Sequence, residues 1–101
     1  MFSRGSYEEV ARWLRNFLGS HAKRVDPRIE VDFDTEDERE GTSYGARLRL
    51  GSRVTDVHEF PFREVADNRG SLAWCAVQAE LTRARARDLV AERGAADARA
   101  R

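Results

Sequence analysis

The chain has little that could staple it or interrupt it. Cys75 is its one cysteine, which excludes an intrachain disulfide and a cysteine-based zinc cluster. A lone thiol suits a reducing compartment, so a cytoplasmic location is expected. There are two prolines, Pro27 and Pro61, each marking a break. No apolar run approaches the ~20 residues that a membrane span needs. Charges recur through residues 1–19, where a signal peptide would need an apolar stretch. Net charge is absent too: 18 cations balance 18 carboxylates, so the whole-molecule field argues neither for nor against a polyanion. Neither a glycine-rich phosphate loop, a HExxH helix nor a nucleophile elbow occurs, and no cofactor or metal site is implied.

What is present is pattern. Over residues 28–50, Ile29, Val31, Phe33 and Thr35 alternate with Glu30, Asp32, Asp34 and Glu36. After a polar loop, Tyr44, Ala46, Leu48 and Leu50 alternate with Gly45, Arg47, Arg49 and Gly51. Period-two alternation gives each strand one apolar and one polar face. The two strands lock in one register. Phe33 opposite Ala46 sets Val31 against Leu48, Thr35 against Tyr44, Asp32 against Arg47 and Glu30 against Arg49. A slip of one residue would turn every apolar side chain outward.

A helix precedes this hairpin. Ser6 with Glu9 forms a capping box, and Val10, Trp13, Leu14, Phe17 and Leu18 make an apolar stripe. Gly19 is the expected stop, with Ser20 to Lys23 as an extension past it. His21, Ala22, Lys23 and Arg24 form a basic patch at that end. Asp26-Pro27 then breaks the helix.

After the hairpin, Gly51-Ser52 suits a two-residue turn. A third strand over residues 53–62 follows, in one of two registers. A strict two-residue turn faces Thr55 and Val57 inward. A turn one residue longer faces Val54, Asp56, His58, Phe60 and Phe62 inward, and the burial of both Phe favours it. Residues 63–70 read as a connection with turn chemistry at Asp67-Asn68-Arg69-Gly70. Ser71 caps a last helix running to about Glu92, with Gly94 as its stop. Leu72, Cys75, Ala76, Ala79, Ala86, Leu89 and Val90 form its expected core stripe, widened by Trp74, Val77 and Leu81.

The expected fold is therefore α+β, a two-layer α-β-β-β-α domain. Its three-stranded antiparallel sheet carries both helices on one face. Residues 1–94 form one domain and residues 95–101 a flexible tail. In order and length of elements over residues 6–93, this resembles the double-stranded-RNA-binding domain. That family opens its last helix with a lysine cluster that clamps phosphates. The matching positions here are Ser71, Leu72, Ala73 and Trp74.

Charge is unevenly placed. Residues 26–40 carry two cations and eight carboxylates, and seventeen of the 18 cations are Arg. Asp32 to Glu40 fails as an EF-hand loop, because Asp37 and Ser43 stand where Gly and Glu are required. It reads as a solvated acidic rim. Cys75 reads as structural, and His58 with Asp56 as a polar pair at the sheet margin. The expected function is binding of a macromolecule without catalysis, through protein–protein contact or self-association. The surface candidates are Glu30, Asp32, Asp34, Arg47 and Arg49 on the sheet, with Arg83 and Arg87 on the last helix. Nucleic-acid (RNA) binding through that Arg-rich helix, with Arg85, Arg93, Arg99 and Arg101 nearby, is the alternative. Neither a membrane nor a small-molecule substrate is expected as a partner.

Overall fold

The structure, a computed structural model, describes the backbone of residues 5–99, with side chains to residue 91. Helices α1 (Tyr7–Val25), α2 (Phe62–Asn68) and α3 (Leu72–Arg99) accompany strands β1 (Glu30–Asp34), β2 (Ser43–Leu50), β3 (Arg53–Val54) and β4 (His58–Pro61). It is a small α+β domain whose helices pack on an open antiparallel sheet. Every strand pairs with β2: β1 along one side, β3 and β4 in succession along the other.

The Ser6 hydroxyl accepts the Glu9 N–H at 3.2 Å, and Glu8 and Glu9 sit at the positive end of the α1 dipole. Gly19 does not end the helix. The apolar row Val10, Leu14, Leu18 and Ala22 continues past it, and burial of Ala22 outweighs the entropic cost of one glycine. Trp13 and Phe17 lie beside this row, half-buried and stacked with centroids 5.0 Å apart. Asp26 ends α1 in extended backbone, and its carboxylate accepts the Arg28 backbone N–H and side chain at 2.7–3.0 Å. That clasp delivers fully buried Ile29 to the start of β1.

The β1–β2 register is the expected one at Glu30–Arg49, Val31–Leu48, Asp32–Arg47 and Phe33–Ala46. Tyr44 is the centre of the inner face. It stacks on Tyr7 at 4.6 Å and Phe33 at 5.6 Å, and its hydroxyl donates to the Tyr7 carbonyl at 2.8 Å.

The third strand uses both candidate registers in turn. Leu50 opposes Arg53 across a strict two-residue turn, and the Thr55 N–H donates to the Leu48 carbonyl. Ala46 then opposes His58, and Tyr44 opposes Phe60. Asp56 and Val57 therefore share the place facing Arg47, which is a β-bulge. The expectation that Val54 and Asp56 face inward is corrected: Val54 is 42 % exposed and Asp56 is exposed. The bulge shifts the register so that Phe60, 6 % exposed, enters the core without altering the turn.

Phe62 is not strand. It opens α2, where a connection was expected. Phe62, Val65 and Ala66 stand at i, i+3 and i+4 behind Pro61, which occupies the cap position. α3 begins as expected, with Ser71 Oγ accepting the Trp74 N–H at 3.2 Å. Its buried face differs from the expected stripe. Ala79, Thr82, Ala86 and Leu89 are buried, whereas Leu72 is 89 % exposed and Ala76, Val77 and Leu81 face outward. Thr82 enters the core because its hydroxyl donates to the Gln78 carbonyl at 2.7 Å. The α3 backbone runs through Gly94 to Arg99. The side chains of the expected tail, and residues 100 and 101, lie outside what is described.

Deleting Val57 removes the bulge yet keeps Leu48 against Thr55 and Ala46 against His58, so the protein should still fold, with one continuous third strand. Deleting Glu59 instead turns Phe60 to the outer face. That costs about 3–5 kcal/mol, a large part of a total of about 5–15. Denaturant melts of the two deletions check the contrast.

Candidate functional site

Three regions hold the chain's chemistry. The first is the outer face of the sheet. Here Asp32 accepts from Arg47 Nε at 3.3 Å and from Arg49 Nε at 3.1 Å. Burial alone would raise the Asp32 pKa, but the hydrogen bonds from Arg49 and Arg47 outweigh it and hold the carboxyl below its ordinary value. Glu30 does not meet Arg49. It pairs with Lys23 of α1 at 3.2 Å. Asp34, Gly45 and Glu59 are neighbours across three strands. Arg39, from the 3₁₀ turn Asp37–Arg39, lies over that row. It donates to Asp34 Oδ2 at 2.6 Å and to Glu59 Oε1 through Nε at 2.8 Å. Gly45 is required beneath it, because a Cβ there would stand 2.6 Å from Arg39 Nε. The expected sheet residues do share one face, and their charges are paired within the chain.

The acidic rim lies beside this clamp. Glu8, Glu36, Asp37 and Glu40 line a groove of about 510 Å³ with Tyr7 at its base. The Tyr7 hydroxyl sits 3.0 Å from the Arg39 carbonyl and also reaches the Ser43 carbonyl, pinning the loop to α1. Its pKa is raised by burial first and then by Asp34, Glu40 and Glu8. Among the described residues, no three His, Cys, Asp or Glu side chains converge to hold a metal ion.

The second region is α3. Arg83 and Arg87 both donate to Glu80, at 3.1 and 3.0 Å. Arg83 also meets His21 Nδ1 at 3.2 Å, and since a guanidinium can only donate, that nitrogen accepts. Burial, Arg24 and Arg83 together lower the His21 pKa. Arg83 and Arg87 therefore belong to the helical layer rather than to the sheet face. Arg93, Arg99 and Arg101 lie outside the described side chains. Outward from Glu80 runs an apolar row. Val77, Leu81, Ala84 and Ala91 follow spacings of four, three and seven, a coiled-coil seam interrupted by Asp88. Val77 is 56 % and Leu81 43 % exposed.

The third region was not among the expected sites. The bulge turns His58 toward the helices, where it lines a pocket with Arg85 of α3 and Thr55. These three line a pocket of about 10 Å³ and, with Asp56 and Asp88, a groove of about 260 Å³. Burial lowers the His58 pKa first and Arg85 lowers it further, against a smaller opposing pull from Asp56. The pairing of His58 with Asp56 was visible in the sequence. The approach of Arg85, 27 residues away, was not. Cys75 is half-buried, its Sγ 3.5 Å from the Arg69 carbonyl.

Two outcomes follow. Gly45→Ala should destabilise the wild-type chain by displacing Arg39, yet be close to neutral in an Arg39→Ala background; a double-mutant cycle by denaturation checks this. Asp32 has a depressed folded pKa, so its contribution to stability is present above the unfolded value of about 3.9 and is lost as pH falls through the lower folded value. Asp32→Asn should flatten the acid limb of the stability–pH curve, read by denaturant melts from about pH 5 downward.

Comparison with known proteins gives this arrangement no family: no family model, no curated protein and no solved structure matches the chain.

Proposed function

We propose that this domain acts without catalysis, by binding another protein, and that it takes a helix along the outer face of α3. The observation that carries this reading is the α3 seam. Val77 and Leu81 stand more than two-fifths exposed on the longest helix, in line with Ala84 and Ala91. Small residues at alternate seam positions let a partner helix approach closely, and the spacing is that of knobs-into-holes packing. Large apolar side chains kept in water on one line support an interface more readily than a solvated face. The sheet candidates Glu30, Asp32, Asp34, Arg47 and Arg49 then form a balanced second surface, available only to a partner that can replace their internal pairs.

The first partner is a second copy. Two α3 helices laid antiparallel on this seam bring Glu80 of one against Arg87 of the other, twice by symmetry. Those contacts exchange for the present pairs within each chain, so they set register more than affinity. For the nucleic-acid alternative, Arg83 and Arg87 supply the cations, but both are shared with Glu80 and one is held by His21, which reduces the field they offer to phosphates.

Sedimentation velocity from micromolar to millimolar protein tests the reading. The wild type should self-associate, and Leu81→Glu should weaken association by at least about tenfold while leaving the fold intact, because the site is half-exposed. A chain that stays monomeric throughout, and that binds short RNA or DNA with an affinity falling steeply as salt rises, moves the function to nucleic acid.

A further inference from the structure

Arg85 is held differently from three other half-buried arginines. Arg39, Arg47 and Arg83 each reach a carboxylate. Arg85 has no ion pair and no hydrogen bond among the described residues. Burial lowers its pKa, and Asp56 and Asp88 line the same groove without an ion pair to it. His58 faces it from β4, also without a hydrogen-bond partner among the described residues. His58 and Arg85 thus line one groove, neither with a hydrogen-bond partner among the described residues. Their nitrogens keep contact with solvent, since among the described residues no buried side-chain nitrogen or oxygen lacks a partner.

The site is built rather than accidental in its geometry. Without the bulge-shifted register, His58 would point outward, and Arg85 would stand over an apolar sheet. The Thr55 hydroxyl does not fill the gap. It accepts from the Leu48 N–H at 2.9 Å and donates to the Asp56 carbonyl at 3.1 Å, so it is already spent. The free donors are therefore the guanidinium fork and one imidazole N–H, a set that fits two oxygens of one planar anion. The other charged lining residues decide which anion. Asp56 and Asp88 repel a second negative charge and welcome a positive one.

We propose that the groove between His58 and Arg85 binds a small monocarboxylate, held by the Arg85 fork and the His58 N–H, with room at Asp56 and Asp88 for a neutral or ammonium-bearing remainder. The groove's volume, about 260 Å³, suits a molecule of a few heavy atoms. This site is independent of the α3 seam, and its failure would leave the docking reading untouched.

The test is an NMR titration of the full chain with sodium acetate, and separately with inorganic phosphate, at fixed ionic strength. Acetate should shift the Arg85 Nε–Hε and His58 ring signals with saturation, at a dissociation constant on the order of millimolar. Arg85→Gln should abolish saturation, and Arg85→Lys, which keeps charge but loses the fork, should weaken binding by about tenfold. If Arg85→Gln fails to fold, loss of saturation in His58→Gln reads the same contact. Linear drift without saturation, or an unchanged curve in the folded variant, overturns the site. Phosphate dianion binding tighter than acetate overturns its assignment to a monocarboxylate.

Discussion

Among the described residues β2 is the one strand paired along both edges, and everything else is arranged to satisfy it. Its inward residues Tyr44, Ala46, Leu48 and Leu50 are all at most 4 % exposed. Its backbone is completed by β1 on one side and by two short strands on the other. Burying that row requires α1 and α3 on the same face. Ala79 and Ala86 let α3 lie close, while Val10, Leu14, Leu18 and Ala22 give α1 a narrow ridge. A hairpin alone would be marginal in water; a helical layer over its apolar face makes it a domain.

The outer face solves a different problem. A charged sheet surface with open edges invites pairing with other chains. Here the charges are knitted across strands instead. Asp32 takes two arginines of β2, and Arg39 bridges β1 and β4 over a glycine that leaves it room. Such exposed pairs add modest stability each. Their larger effect is to leave the face close to neutral, which explains how a chain with 36 % charged residues presents no strong field there. Where the design stays unsatisfied is on the helical side: the Val77–Leu81 seam left in water, and Arg85 and His58 in one groove without a hydrogen-bond partner among the described residues. Local conflicts of this kind are where function concentrates, because elsewhere the sequence resolves them.

Local pattern determined a good deal of this protein. The N-cap at Ser6, the alternation of β1 and β2, and the single register that matches Phe33 to Ala46 are written in residues close in sequence and fold as read, although among the described residues only the Ser6 half of the expected capping box forms. The short helix α2 was missed: Phe62, Val65 and Ala66 stand at helical spacing behind Pro61, but the turn residues after them made 63–70 read as a connection. What only tertiary structure decided depends on residues far apart. Whether 53–62 obeyed one register or the other turned on competition between a tight turn and the burial of Phe60, and a bulge satisfied both. Which side of an alanine-rich helix faces inward has little local signal, since small residues cost little on either side; Thr82 went in and Val77 stayed out only when α3 met the sheet. The meeting of His58 with Arg85 arose the same way, because the burial that strips a charge of water is a property of the packed layers and not of the residues that carry it.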